Sequence, residues 1–187
     1  MASLCLHRLS LSLLLLAFGI LALDCNKTAE IQLQVNNPEV RKLMEAMGGH
    51  RLPQGCPHKR PTTGFPGVKI LRSSKEDKSI AVKMILEKIL EIFERNFTQA
   101  EWDERATDLL QNALYQQINQ WKNCCTPESG MVATLKDQDL NLTLQRYFRQ
   151  IQTFLENQQY SLCAWSAVRM EIWRLFFVYL DQLLNRF

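Results

Sequence analysis

Tyr160–Phe176 reads Y-S-L-C-A-W-S-A-V-R-M-E-I-W-R-L-F, and the spacing of its apolar residues decides the fold. At about 100° per residue, a helix over Ser161–Arg186 places Trp165, Val168, Ile172, Leu175, Phe176, Tyr179 and Leu183 on one side. That is the face of a helix-bundle core. Met170, Trp173, Phe177 and Leu184 fall roughly opposite, with Arg174 and Asp181 beside them. A soluble monomer has no use for this second stripe, and leaving it bare is a solubility liability. Aromatic anchors with an arginine are the residue types enriched at binding hot spots, so the outer stripe reads as a partner surface. The rival reading is that the long 48–78 connection covers it.

The same periodicity recurs upstream. Trp102–Trp121 is a one-faced helix through Trp102, Ala106, Leu109, Leu110, Ala113, Leu114, Ile118 and Trp121. Ser79–Phe97 repeats the pattern with Val82, Ile85, Leu86, Ile89, Ile92 and Phe93. Asp139–Asn157 does so with Leu140, Leu144, Tyr147, Phe148, Ile151, Phe154 and Leu155. A shorter front helix uses Val40, Leu43, Met44 and Met47. Asn37 is its expected N-cap, Pro38 its first residue, and Gly48 and Gly49 its stop. Residues 26–36 stay ambiguous, because Ile31, Leu33 and Val35 alternate like a strand without a partner strand.

The connections define the architecture. A helix of about 15 residues is about 23 Å long. The 48–78 connection, rich in Gly, Pro and Lys/Arg, is long enough to run that length and return the chain parallel. Residues 97–101 and Gln158–Tyr160 are short joins, and a loop with Cys124, Pro127 and Gly130 links the third and fourth long helices. Long crossovers between short turns mark cytokine-type bundles. The expectation is an all-α, five-helix bundle of that type.

At the N-terminus, His7 and Arg8 precede an apolar run from Leu9 to Leu23. The run is short of the roughly 20 residues a membrane span needs, and the small Ala22 lies near its end. This is the pattern of a secretory signal over residues 1–22, with cleavage after Gly19 as the second choice and an uncleaved anchor as the rival. Residues 23–187 then form one domain with a sizeable core. Arg8 departs with the signal, so the net charge falls from +3 to +2. That is too small to argue for nucleic acid or an anionic membrane as partner.

Cys5 lies in the signal, which leaves Cys25, Cys56, Cys124, Cys125 and Cys163. Spaced cysteines in a secreted chain read as disulfides. An odd number allows two bridges and leaves one thiol. Cys124 and Cys125 are adjacent and compete for one partner, since a vicinal link is strained. Zinc on Cys56, His50 and His58 fits no usual spacing, and no cofactor or metal is expected. Asn26, Asn96 and Asn141 each open an N-x-T sequon and are candidate glycan sites. An enzyme is disfavoured: beyond the signal the only histidines are His50 and His58, and G-x-S-x-G, H-E-x-x-H and a Gly-rich phosphate loop are all absent. A secreted helical carrier of apolar ligands is a further alternative.

Several short runs resemble type I interferons, in order along the chain. Gly64-Phe65-Pro66 is similar to the family's F-G-F-P, and Ala100-Glu101-Trp102-Asp103-Glu104 to its A-A-W-D-E. Leu114-Tyr115-Gln116-Gln117-Ile118-Asn119 resembles L-Y-Q-Q-L-N, with a cysteine following, here Cys124. Arg146-Tyr147-Phe148 resembles R/K-Y-F, and Tyr160-Ser161-Leu162-Cys163-Ala164-Trp165 resembles Y-S-x-C-A-W. The C-A-W helix and the L-Y-Q-Q-I-N run argue against type III interferon-like or interleukin-10-like cytokines. The resemblance implies two bridges, Cys25–Cys124 and Cys56–Cys163, with Cys125 departing from the pattern. It implies a secreted signalling protein that joins two different cell-surface receptor chains. A monomer is expected, with a covalent dimer through Cys125 as the alternative. By position, the high-affinity face takes Arg60, Arg169, Met170, Trp173, Arg174 and Phe177. The low-affinity face takes Lys83, Glu87, Glu91, Gln111, Tyr115 and Arg146, residues that read equally well as a solvated helix face. Pro57 stands where mammalian members have a leucine after the loop cysteine.

Overall fold

The computed structural model describes residues 36–49, 51–95, 97–125 and 138–184, apart from the side chains at 123–125 and 184. All regular structure among these residues is helical. The elements are α1 (36–48), α2 (Gly67–Arg72), α3 (Lys75–Phe93), α4 (Glu104–Cys125), α5 (Gln138–Asn157) and α6 (Leu162–Arg174). After α6 the chain widens into a π-helical segment (Leu175–Leu180) and closes as α7 (Asp181–Leu184).

Helix starts follow capping chemistry more than apolar period. Ser74 accepts from the Asp77 amide at 3.1 Å and caps α3, with Glu76 and Asp77 in its first turn, where the helix dipole favours acids. This moves the start upstream of the expected Ser79, because the first turn carries no apolar signal. Its end, at Phe93, likewise precedes the expected Phe97. Asp103 accepts from the Ala106 amide at 2.7 Å and caps α4, so Trp102 precedes that helix and is not its first residue. Leu109, expected in the core stripe of α4, is an exposed hydrophobic. Asn37 is not an N-cap. It lies inside α1, fully buried, and donates to Asp181 Oδ1 at 2.9 Å.

The long connection does return the chain parallel. One end of the bundle gathers the last residues of α1, α3 and α5 with the first of α4 and α6. There the Asp103 amide donates to Met47 O at 3.1 Å. Trp102 packs on Phe93 (5.6 Å between ring centroids), Phe97 (5.5 Å) and Trp165 (5.3 Å), and Tyr160 lies 6.1 Å from Trp165. α3 and α4 run antiparallel, with Gln111 donating to Phe93 O and Trp121 to Ser79 O.

The connection is itself built. Cys56–Cys163 ties it to the head of α6 across 107 residues. Phe65 packs on Tyr147 at 5.2 Å and on Tyr179 at 4.8 Å. Gly67, at the start of α2, lies so close to the Tyr179 ring that a Cβ would overlap it. Tyr179, expected in the bundle core, is instead a half-buried wall for this connection. Cys25 lies outside the described residues, as do the side chains of Cys124 and Cys125.

Candidate functional site

The core stripe of the C-terminal helix is as expected: Trp165, Val168, Ile172, Leu175, Phe176 and Leu183 are buried. The π-helical segment, with its i→i+5 turn, adds local width after Arg174. The uniform angle used for the sequence therefore does not hold beyond that point. The outer stripe begins just before it. Trp173 stacks on Phe177, with centroids 5.1 Å apart and planes 9° from parallel. Phe177 is 55% exposed. Trp173 is half-buried, and its Nε1 donates to Glu45 Oε1 at 3.0 Å. The Arg41 guanidinium lies 5.4 Å from the Phe177 ring centre, a cation–π distance, and pairs with Asp181 at 2.6 Å. A continuous surface therefore runs from Glu45 through Trp173, Phe177 and Arg41 to Asp181. Trp173 is partly covered by α1, while Leu52, His58 and Arg60 of the 48–78 connection flank Met170, so the rival reading holds for that part of the stripe. Leu184 lies outside the described side chains.

Beside this surface is a hollow of about 280 Å³, lined by Leu52, His58, Lys59, Arg60, Met170 and Arg174 among others. Arg60 meets Met170 and Arg174 here, over a hundred positions further along the chain. Leu52 and Met170 give it an apolar part, while Lys59, Arg60 and Arg174 make it cationic. Arg174 is held by Glu171, whose two oxygens accept from its Nη2 at 2.8 and 2.9 Å. That hydrogen bond raises the Arg174 proton affinity further.

Arg169 departs from the expected set. It is 1% exposed and donates to Met44 O at 2.9 Å and Gly48 O at 3.0 Å. Both carbonyls belong to the C-terminal part of α1, where a cation is favoured by the helix dipole. Burial lowers its proton affinity. Arg169 is a structural cap, and the physical reason is position: it falls between the two stripes, where α1 closes over it.

The second candidate set is spread over three helices. Lys83 and Glu87 lie 4.0 Å apart on α3, and Lys122 of α4 reaches Glu87 at 3.2 Å. Glu91 pairs with Lys88 at 2.6 Å and Arg95 at 3.5 Å, and the Lys88 hydrogen bond lowers its pKa. Gln111 is occupied by Phe93 O. Tyr115 is 58% exposed on α4, and Arg146 is exposed on α5.

Glu171, Thr62, Arg41 and Glu45 were not singled out from sequence, whereas Tyr147 was expected only as a core residue. Glu171 had a signal: it sits three residues after Val168 and four before Leu175, both core, so a carboxylate there needs buried donors. The others had none, because their partners are remote in the chain. Of the sequons, Asn141 is half-buried in α5 and accepts from Gln145 Nε2 at 3.0 Å. Asn26 and Asn96 lie outside the described residues.

An up-up crossover bundle with a disulfide-held long loop is the architecture of helical cytokines. Residues 29–187 match the family model "Interferon: Interferon alpha/beta domain". The chain belongs to the alpha/beta interferon family, whose members are signalling proteins and not enzymes. It is 34% identical to interferon alpha-2 of Equus caballus over 128 residues, covering 66% of this chain and 69% of that protein. It is 36% identical to interferon alpha-6 of Homo sapiens over 93 residues, 49% of each chain. Among solved structures, zebrafish interferon 2 superposes with a TM-score of 0.65 at 26% identity, covering 80% of this chain and 96% of that one. Zebrafish interferon 1 superposes with a TM-score of 0.70 at 18% identity, covering 85% and 98%, a likeness of fold alone.

Proposed function

We propose that this chain is a secreted type I interferon that joins two different cell-surface receptor chains and induces an antiviral state. One observation carries the assignment of the high-affinity face: Arg60, Met170 and Arg174 surround one hollow beside the exposed Phe177–Trp173 stack. A patch with aromatic anchors, an apolar floor and a cationic rim suits a receptor surface that presents apolar and acidic side chains. Leu52, in the hollow, supplies apolar surface where Pro57 offers little. The low-affinity face is assigned to Lys83, Glu87, Glu91, Gln111, Tyr115 and Arg146. Residues 1–22 serve as the secretory signal. Among the described residues no helix is long and apolar enough to cross a membrane. Cys25–Cys124 forms the second bridge, Asn26, Asn96 and Asn141 are the glycan sites, and the active species is a monomer.

The test is to apply the purified mature protein to cells of the source animal. Receptor-associated phosphorylation within minutes, followed by reduced virus yield, is the expected result. Neither response, from protein shown to be folded, would remove the proposal.

A further inference from the structure

We infer that Glu171 is the positioning residue of the receptor-facing hollow, holding Arg174 and the Arg60 segment in one arrangement; the inference rests on the receptor-face reading above. Glu171 is 6% exposed. Its Oε1 accepts from Thr62 Oγ1 at 3.0 Å, from the Tyr147 hydroxyl at 2.9 Å and from Arg174 Nη2 at 2.8 Å. Three elements therefore meet on one carboxylate: the long connection, α5 and α6. A buried carboxylate must be paired and hydrogen-bonded to be tolerated. Even then a buried ion pair is weak support for stability, since apolar residues of similar volume often do as well. What the cluster supplies is arrangement.

Thr62 and Arg60 are separated only by Pro61, which is buried and whose ring fixes its φ. Holding Thr62 therefore holds the backbone that carries Arg60. The other end of the same segment is held by the Cys56–Cys163 bridge, and Lys59 Nζ donates to Gln158 Oε1 at 3.2 Å. The same carboxylate holds Arg174 through both of its oxygens, beside the hollow that Arg174 lines. Glu171 thus sets the spacing between two cations that come from distant parts of the chain. Thr62 and Tyr147 are 8% and 2% exposed. Neither offers much surface to a receptor, so each acts indirectly.

The experiment compares Thr62→Val, Arg60→Ala, Arg174→Ala and the double variant Thr62→Val with Arg60→Ala. Each is measured for thermal midpoint, amide hydrogen exchange over residues 57–63, and half-maximal dose in a cell-signalling assay. Tyr147→Phe replaces Thr62→Val if the latter does not fold. Thr62→Val should melt close to wild type and exchange faster over residues 57–63. Its half-maximal dose should rise about fivefold, because Arg60 keeps its charge and loses only its fixed position. The double variant should need no higher dose than Arg60→Ala alone, because both changes act through the same cation. If Arg60→Ala and Arg174→Ala raise the dose while Thr62→Val does not, the positioning role is overturned and the face stands. If the double variant is weaker by the product of the single effects, Thr62 acts elsewhere and the role is likewise overturned. If Arg60→Ala and Arg174→Ala signal as wild type, the receptor face falls and the positioning role falls with it.

Discussion

The two candidate faces are built on different principles. The first is cross-linked by residues far apart in the chain: Asn37 and Arg41 with Asp181, Glu45 with Trp173, Thr62 with Glu171, and Cys56 with Cys163. The second relies mostly on pairs three or four residues apart, Lys83–Glu87, Lys88–Glu91 and Arg95–Glu91, with Lys122–Glu87 crossing between helices. Long-range contacts fix side chains before a partner arrives, and pre-organisation is what turns buried area into affinity. Exposed short-range ion pairs leave side chains free and contribute little. The comparison teaches that the first face is pre-organised and the second is not, which supports the proposal that the first binds tightly and the second makes a weaker, more adaptable contact.

The largest expected effect lies beneath the first face. Trp165 is fully buried and touches the Trp102 and Tyr160 rings. Trp165→Ala should destabilise the fold by ~3–5 kcal/mol, read by thermal or denaturant melts. A loss below ~1 kcal/mol would mean that the end of the bundle supporting the loop disulfide is loosely packed. Next comes Arg169, which joins α1 to α6. Arg169→Ala removes two charge-assisted bonds, one buried and one partly buried, and should cost ~2–3 kcal/mol. If that variant instead keeps its stability and loses signalling, Arg169 belongs to the face after all.

Tyr147 gives a pH test of the same region. Burial first, then the neighbouring Glu171 carboxylate, raises its pKa well above the ordinary value of 10.0. The neutral hydroxyl thus favours the folded state, fully so below pH 10, and the benefit is lost as pH rises above that value. Each pH unit above 10 should cost up to about 1.4 kcal/mol. The melting temperature of the wild type should therefore fall more steeply above pH 10 than that of Tyr147→Phe. Parallel slopes would show that Tyr147 ionises freely. The smallest effect belongs to the second face: Glu87→Ala should change stability by less than about 1 kcal/mol, because both side chains of the Lys122 pair are exposed. A larger loss would erase the contrast between the faces.

What was legible in the sequence follows the same division. Apolar period placed Trp165, Val168, Ile172, Phe176 and the cores of α3 and α5, because burial of one stripe is a local pattern. The resemblance placed Cys56 with Cys163, and Arg60 near Met170 and Arg174. Arg169 was not legible, because an arginine between two stripes can turn outward or cap a neighbouring helix. α2 was not legible either, since six residues in a Gly- and Pro-rich stretch carry too little period. The π-helical segment leaves no mark in a pattern read at a constant angle. Trp102 was assigned to α4 by spacing, whereas the Asp103 cap begins that helix two residues later.

The central claim is that the outer stripe of the C-terminal helix meets a receptor, and Phe177 tests it most directly because its side chain is largely exposed. The measurement is the half-maximal signalling dose of Phe177→Ala against wild type, with thermal melts of both. The account predicts a melting temperature within a few degrees of wild type and a dose higher by about tenfold or more, as for loss of an interface anchor of 1.4 kcal/mol or above. An unchanged dose from a variant that melts like wild type would contradict it.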